Sequence, residues 1–393
     1  MGHPCETEER GDRRRSLENA CQRFAAPLIM GGTNGAANWA GRSRRPGIRP
    51  RVIRWAGMRQ VVSILFGVTL GAQAADRFVG AAACGKCHPA QYSSQAKTGH
   101  AQALSRAADH PLRTAWPLAS TEARRAGGFR YRFGPLNLRV DNGTDVLAVP
   151  MEWAFGAGQQ AVTFVSQGDA QFYLEHYLTY YSKLRAFGPT PGHRALKPTN
   201  LAEAAGLLYK IGDAEAGIDG CFACHSTGAL VGLKPAENGV RCEACHGAGA
   251  AHVESGGKVR MGNPKQLTAE ALNDLCGRCH RPPASDPAKI DWNYSWNVRH
   301  QPVYLSQSAC FVKSQGKLSC LTCHGPHEPL ATRVAHYDRQ CVSCHATRSP
   351  NCGPRDCAGC HMPRVSPEPP LAFTNHWIGI YRDGNSLRPA RAR

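Results

Sequence analysis

The chain should fold as a mainly α protein with few regular elements and one small antiparallel β-subdomain. Short helical segments, broken by Gly and Pro, crowd into its C-terminal part. A stretch before them alternates apolar with polar residues. The third observation is compositional: 18 cysteines and 17 histidines in 393 residues, an excess that ordinary side-chain packing does not explain.

Fourteen of the cysteines fall in seven Cys-x-x-Cys pairs, and His follows every pair. The motifs are Cys84/Cys87/His88, Cys221/Cys224/His225, Cys242/Cys245/His246, Cys276/Cys279/His280, Cys320/Cys323/His324, Cys341/Cys344/His345 and Cys357/Cys360/His361. This pattern reads as c-type haem attachment. Two thiols add to the two vinyl groups on one porphyrin edge, so they must stand a short fixed distance apart, and two intervening residues provide it. The residue after the pair lies beside the iron, where a neutral imidazole serves as proximal axial ligand.

Zinc is the first alternative for paired cysteines, but zinc sites do not require His directly after each pair. A disulfide framework, common in exported Cys-rich chains, fails for the same reason. The sequence therefore implies seven haems c.

Haem attachment of this kind takes place outside the cytoplasm. From Met58 the chain runs Met58-Arg59, an apolar stretch Val61 to Ala72, then Ala72-Gln73-Ala74, the layout of a secretory signal with an A-x-A cleavage site. Its apolar stretch is too short to span a bilayer. The expectation is cleavage after Ala74, no integral membrane segment after processing, and a periplasmic or otherwise exported product. Residues 1–57 carry 11 Lys+Arg against 5 Asp+Glu and no apolar periodicity, which reads as disorder or a mis-assigned start.

The formal charge of +18 does not imply nucleic-acid binding. Part of the surplus lies before Met58, and two propionates per haem give the remaining Lys and Arg their partners.

Beyond the signal at 58–74, the order expected is a first haem segment at 75–127, a haem-free β/α subdomain at 128–219, a six-haem domain at 220–380 and a tail at 381–393. In the haem-free part, Phe129 to Phe133, Leu136 to Val140, Val146 to Val149 and Ala161 to Val165 alternate or run β-branched, with a turn at Asn142-Gly143. These predict antiparallel strands over about 128–170, an aromatic-rich helix over 170–186 and a second helix over Asn200 to Ile211. Six motifs then fall within 141 residues, too few residues per haem for a conventional core. The porphyrins themselves would be the core: a haem-cored fold.

Each motif histidine fills one axial position. Outside the motifs and the segment before Met58 stand His100, His110, His176, His193, His252, His300, His327, His336 and His376, nine candidates for seven irons, which favours bis-His ligation. His327, three residues after His324, cannot face it through one iron and should reach a neighbouring haem; His252, six after His246, supports the same inference. Met151, Met261 and Met362 are the methionines available, so Met ligation, which raises the potential, is the minor alternative.

Several strings resemble a family of exported multihaem cytochromes c that includes the tetrahaem electron acceptor of hydroxylamine oxidoreductase. They are Cys84 to His88 with Tyr92 and Gly99-His100-Ala101, Gly239 to Gly247 with His252, Leu318 to His327, Asp356 to Pro363, and Thr374-Asn375-His376-Trp377-Ile378. The resemblance implies His100, His252, His327 and His376 as distal ligands, with His193 in Thr190-Pro191-Gly192-His193 a weaker match. No Cys-x-x-Cys-Lys motif is present, so the lysine-ligated haem of nitrite reductases has no counterpart.

The reading is electron transfer through seven covalent haems between redox partner proteins. The alternative is an oxidoreductase with one five-coordinate haem acting on a small nitrogen or sulfur compound, where Tyr177, Tyr180, Tyr181 and Lys183 could supply protons. Cys310 and Cys352, outside the haem motifs, are expected to pair as a disulfide in an oxidising compartment.

Overall fold

The computed structural model describes residues 77–118, 124–126, 128–168, 171–212, 217–228, 230, 234–280, 290–346, 356–382 and 384–390. The signal at 58–74, residues 1–57 and Cys352 lie outside the described residues.

The β-subdomain is larger than the alternating segments suggest. Its strands are β1 (Leu104–Arg106), β2 (Arg124–Ala126), β3 (Phe129–Phe133), β4 (Asn137–Asp141), β5 (Val146–Pro150), β6 (Trp153–Phe155), β7 (Ala161–Gln167), β8 (Phe172–His176), β9 (Leu178–Tyr181), β10 (Ala186–Pro189) and β11 (Gly206–Lys210). One sheet is the meander β2-β3-β4-β5; the other runs β1-β6-β7-β8-β11, with β9 pairing β7 and β10 pairing β9. Every pairing is antiparallel. With 20% of the described residues in strands, the architecture combines short helices with several small antiparallel sheets.

The expected turn joins β4 to β5, where Asn142 Oδ1 accepts from the N–H groups of Thr144 (3.0 Å) and Asp145 (2.8 Å). This is the local side-chain turn that Asn favours.

The helix expected over 170–186 is absent: those residues form β8, β9 and the start of β10. Tyr173, Tyr177, Tyr180 and Tyr181 recur at helix-like spacing, yet aromatic residues fit a pleated surface well. Both faces of this segment are buried, Tyr173 with Trp153 and Phe222, Leu174 with Phe164 and Tyr177, so the period-two signal disappears.

The second helix does start at Asn200, whose Oδ1 accepts from Glu203 N at 3.0 Å as an N-cap should, but it ends at Ala205. There Gly206 passes so close to β8 that a Cβ would lie 1.9 Å from the Glu175 carbonyl oxygen. The chain continues as β11.

Trp116, Tyr131, Leu138, Val140, Val149, Phe164 and Leu174 pack as one core from both sheets. A second cluster joins the sheet to the first helix of the motif-rich part: Leu104, Trp153, Phe155, Val165 and Tyr173 against Ile218 and Phe222. Side-chain burial of this quality is sparse beyond it, where Val298, Val303, Tyr304 and Val365 form a small third cluster. As expected there, short helices carry the motifs, and the strands are two-residue pairs, Ser226–Thr227 with Glu237–Asn238 and Arg364–Val365 with Phe373–Thr374.

His176 gives the β-subdomain a pH dependence. Its ring is fully buried and bonded through Nε2 to Ser166 Oγ at 2.6 Å, and burial lowers its pKa from 6.5 to about 3. The unfolded chain takes up that proton near its ordinary value while the folded chain does not. The stabilisation is therefore present above about pH 6.5 and lost progressively toward pH 3, at up to about 1.4 kcal/mol per pH unit. Thermal unfolding of the holoprotein followed by circular dichroism at pH 7 and pH 4.5 should show this loss, and His176→Gln should flatten it; an unchanged pH dependence in that variant would assign the loss to other groups.

Candidate haem-binding sites

The sites are numbered 1 to 7 in chain order of their motifs. Site 1 lies on the helix Ala81–Gly85 and the turn after it, site 2 on Ile218–His225, site 3 on Cys242–His246 and site 4 on Ala269–His280. Sites 5, 6 and 7 lie on Cys320–Cys323, Val334–Val342 and Cys357–His361, with the last residues of sites 5 and 6 at or beyond the helix ends. One helical turn separates the two thiols of each pair and brings both to one side.

Four motif histidines face a histidine from outside their own motif. His88 and His252 have ring centroids 6.4 Å apart and planes inclined by 20°. His246 and His327 stand 6.1 Å apart at 16°, and His324 and His376 6.2 Å apart at 36°. His100 and His280 are 5.8 Å apart at 69°, with their Nε2 atoms 3.5 Å from each other. Two imidazoles each held about 2 Å from one shared metal place their centroids roughly 6 Å apart. The spacing would let each pair hold one metal between its rings, with His100, His252, His327 and His376 opposite the motif histidines.

Hydrogen bonds at the other ring nitrogen support this. Nδ1 of His246, His252, His361, His376 and His225 lies 2.7, 2.7, 2.8, 3.0 and 3.0 Å from the carbonyl oxygens of Gly262, Val259, Gly379, Thr374 and Ala103. A carbonyl only accepts, so Nδ1 carries the hydrogen and Nε2 keeps its lone pair for a metal. Burial lowers the pKa of His100, His225, His280, His324 and His327 and brings His376 to about 4, favouring the neutral ligand form.

Among the motif residues, Cys87, Cys221, Cys245, Cys279, Cys344 and Cys360 are exposed, as are His88, His280 and His345.

Other candidates have Nε2 engaged. His193 is not brought against a motif histidine: its Nε2 donates to Glu175 Oε2 at 3.0 Å, and the same oxygen accepts from Tyr209 OH at 3.0 Å. In that place it braces β8 and β11. His110 sits between Gly156 O (3.1 Å) and Leu112 N (3.0 Å), and His336 Nε2 lies 3.3 Å from Cys323 O. Met151 is core. Tyr177, Tyr180 and Tyr181 are buried in and beside β9, with the Tyr181 hydroxyl on Pro189 O at 2.5 Å. Cys310, on the helix Ala309–Lys313, is a free thiol among the described residues.

Glu243, inside the site 3 motif, is a site residue that the motif pattern hides. It is 2% exposed, and its carboxylate accepts from Val79 N (3.0 Å), Gly80 N (2.8 Å) and Gly249 N (2.7 Å). It thereby fastens the start of the site 1 helix to site 3 and fixes the approach to His252.

Residues 194–247, which include sites 2 and 3, match the family of cytochrome c554 and c-prime. Over 177 residues, 38% of this chain, it is 25% identical to the multiheme cytochrome MtrA of Shewanella baltica. It is also 21% identical, over 73% of its length, to the dissimilatory sulfite reductase MccA of Wolinella succinogenes. These alignments cover 47% and 51% of the relatives, so the chain spans about half their length. The outer cell wall cytochrome OcwA superposes with a TM-score of 0.45 at 15% identity, over 77% of this chain and 79% of that one. In its attachment motifs and in the sequence relatives it matches, the chain is similar to multihaem cytochromes c.

Proposed function

We propose that this chain is an exported seven-haem electron carrier, passing single electrons between redox partner proteins through haems attached at sites 1 to 7. The observation that carries the reading is the set of four opposed histidine pairs. Haem, when bound, would supply a one-electron centre, and His88/His252, His246/His327, His280/His100 and His324/His376 would hold it at sites 1, 3, 4 and 5. The residues of the chain would do the rest: cysteines hold the porphyrin edge, carbonyls orient His225, His246, His252, His361 and His376, and burial favours the neutral form of His100, His225, His280, His324, His327 and His376. Bis-His ligation gives lower potentials than Met/His ligation. Processing before residue 75 and a periplasmic location belong to the same reading. Among the described residues no helix is long and apolar enough to cross a membrane.

A second reading rests on site 2. The ring packed against His225 is that of Phe155, steeply inclined at 64° with centroids 5.3 Å apart. An iron held there by His225 and open on its other side would suit an oxidoreductase acting on a small nitrogen or sulfur compound.

Electron paramagnetic resonance of the fully oxidised protein separates the two. The carrier reading expects low-spin ferric signals alone. A high-spin signal of about one haem per chain, altered by nitrite or sulfite, would replace it with the enzyme reading.

A further inference from the structure

Contacts made by residues of a motif, of the helix that carries it, or within six residues of it show which sites border one another. Glu243 of site 3 holds the backbone that begins site 1, and His252, six residues past the site 3 motif, opposes His88. Arg278 lies between the two cysteines of site 4. Its guanidinium reaches Ala244 O of site 3 at 3.5 Å, and its carbonyl oxygen lies 3.7 Å from the Cys224 sulfur of site 2.

The Cys320 sulfur of site 5 is 3.0 Å from Asn273 Oδ1 on the site 4 helix. His327, just past the site 5 motif, opposes His246 of site 3. Site 5 also borders site 6, whose helix places His336 Nε2 against Cys323 O. On that same helix Asp338 accepts from the N–H groups of Asp356 (3.0 Å) and Cys357 (2.8 Å) at the start of site 7. The sulfur contacts mark positions that persist when the thiols become thioethers.

From these contacts we infer that the seven sites form a three-armed conduit: sites 3, 4 and 5 are the junction, site 1 ends one arm, site 2 ends another, and sites 6 and 7 form the third. The inference rests on the electron-carrier reading and adds to it that the chain has three termini rather than two. Each handover reduces one iron as it oxidises the bordering one, so balance requires only a donor and an acceptor protein at different termini. A third terminus lets site 2 exchange electrons with another partner without interrupting the path between sites 1 and 7.

The test compares two holoprotein variants. Cys221→Ala/Cys224→Ala removes the terminal site 2, and Cys276→Ala/Cys279→Ala removes the junction site 4. Haem content is measured first. Six haems in each variant keep the attachment reading, whereas seven in either overturns that reading independently of the branching. Redox titration followed by electron paramagnetic resonance then resolves the remaining midpoints, because a haem feels the charge of the haem beside it. Loss of site 2 should shift one other midpoint and loss of site 4 three.

If the site 4 deletion does not fold, His100→Met and His252→Met keep the haem at sites 4 and 1 while raising its potential. They should disturb three other midpoints and one, respectively. Equal disturbance by terminal and junction variants, in either pair, would overturn the branched arrangement.

Discussion

Glu243→Ala should lower the stability of the holoprotein by about 3–5 kcal/mol, because hydrogen bonds to a charged acceptor contribute about 1.5–3 kcal/mol each and the buried donors lose their partner. Three backbone N–H groups, of Val79, Gly80 and Gly249, converge on this one carboxylate. The loss should be local as well as global. Site 1 loses the anchor of its helix and His252 loses the turn before its own helix, so the site 1 signal should broaden or turn high-spin first. Glu243→Gln keeps one oxygen acceptor and should recover part of the stability. Denaturant unfolding of the three proteins checks this; a difference below about 0.5 kcal/mol between wild type and Glu243→Ala, the range of ordinary surface substitutions, would mean that the cluster is not an anchor.

The second large effect is expected at His376. In His376→Ala one haem, that of site 5, should become high-spin, since alanine offers no ligand at the position opposite His324. In His376→Met the same haem should remain low-spin and its midpoint should rise by a sizeable fraction of the ~0.8 V range over which axial ligands set haem potentials. The pair His324/His376 at 6.2 Å predicts that this change falls on site 5 and not on site 7, although His376 follows the site 7 motif in sequence. Spectra of the single variant and of His376→Met combined with Cys320→Ala/Cys323→Ala decide it, because the high-potential haem should vanish in the combination.

The two halves of each site differ in how far the sequence reveals them. Attachment is local chemistry: one porphyrin edge fixes the Cys-x-x-Cys spacing and the iron fixes the next residue, so sites 1 to 7 can be read directly. How well each site is covered is not local. An opposing histidine is likewise set by three-dimensional packing. Four of these are legible through a resemblance of short strings, and the structure places all four against motif histidines. His193 looks similar in sequence, yet Glu175 and Tyr209 come from strands whose pairing brings them to it.

The β-subdomain shows the same limit. Strands β3 to β5, with one apolar face and one wet face, are visible as alternation. Strands β8 and β9, buried on both sides, carry a helix-like aromatic spacing instead. Glu243 leaves no signal, because within a motif its position is a variable one and its three donors lie up to 164 residues away.

The claim on which the rest depends is that each of the seven motifs holds a haem covalently. Mass spectrometry of protein made with a haem-attachment system, denatured and freed of non-covalent ligands, tests it most directly. One species carrying seven haems per chain is expected, with loss of one haem for each motif whose cysteines are replaced by alanine. A fully matured protein with six or fewer, or a motif whose removal leaves the mass of bound haem unchanged, would contradict it.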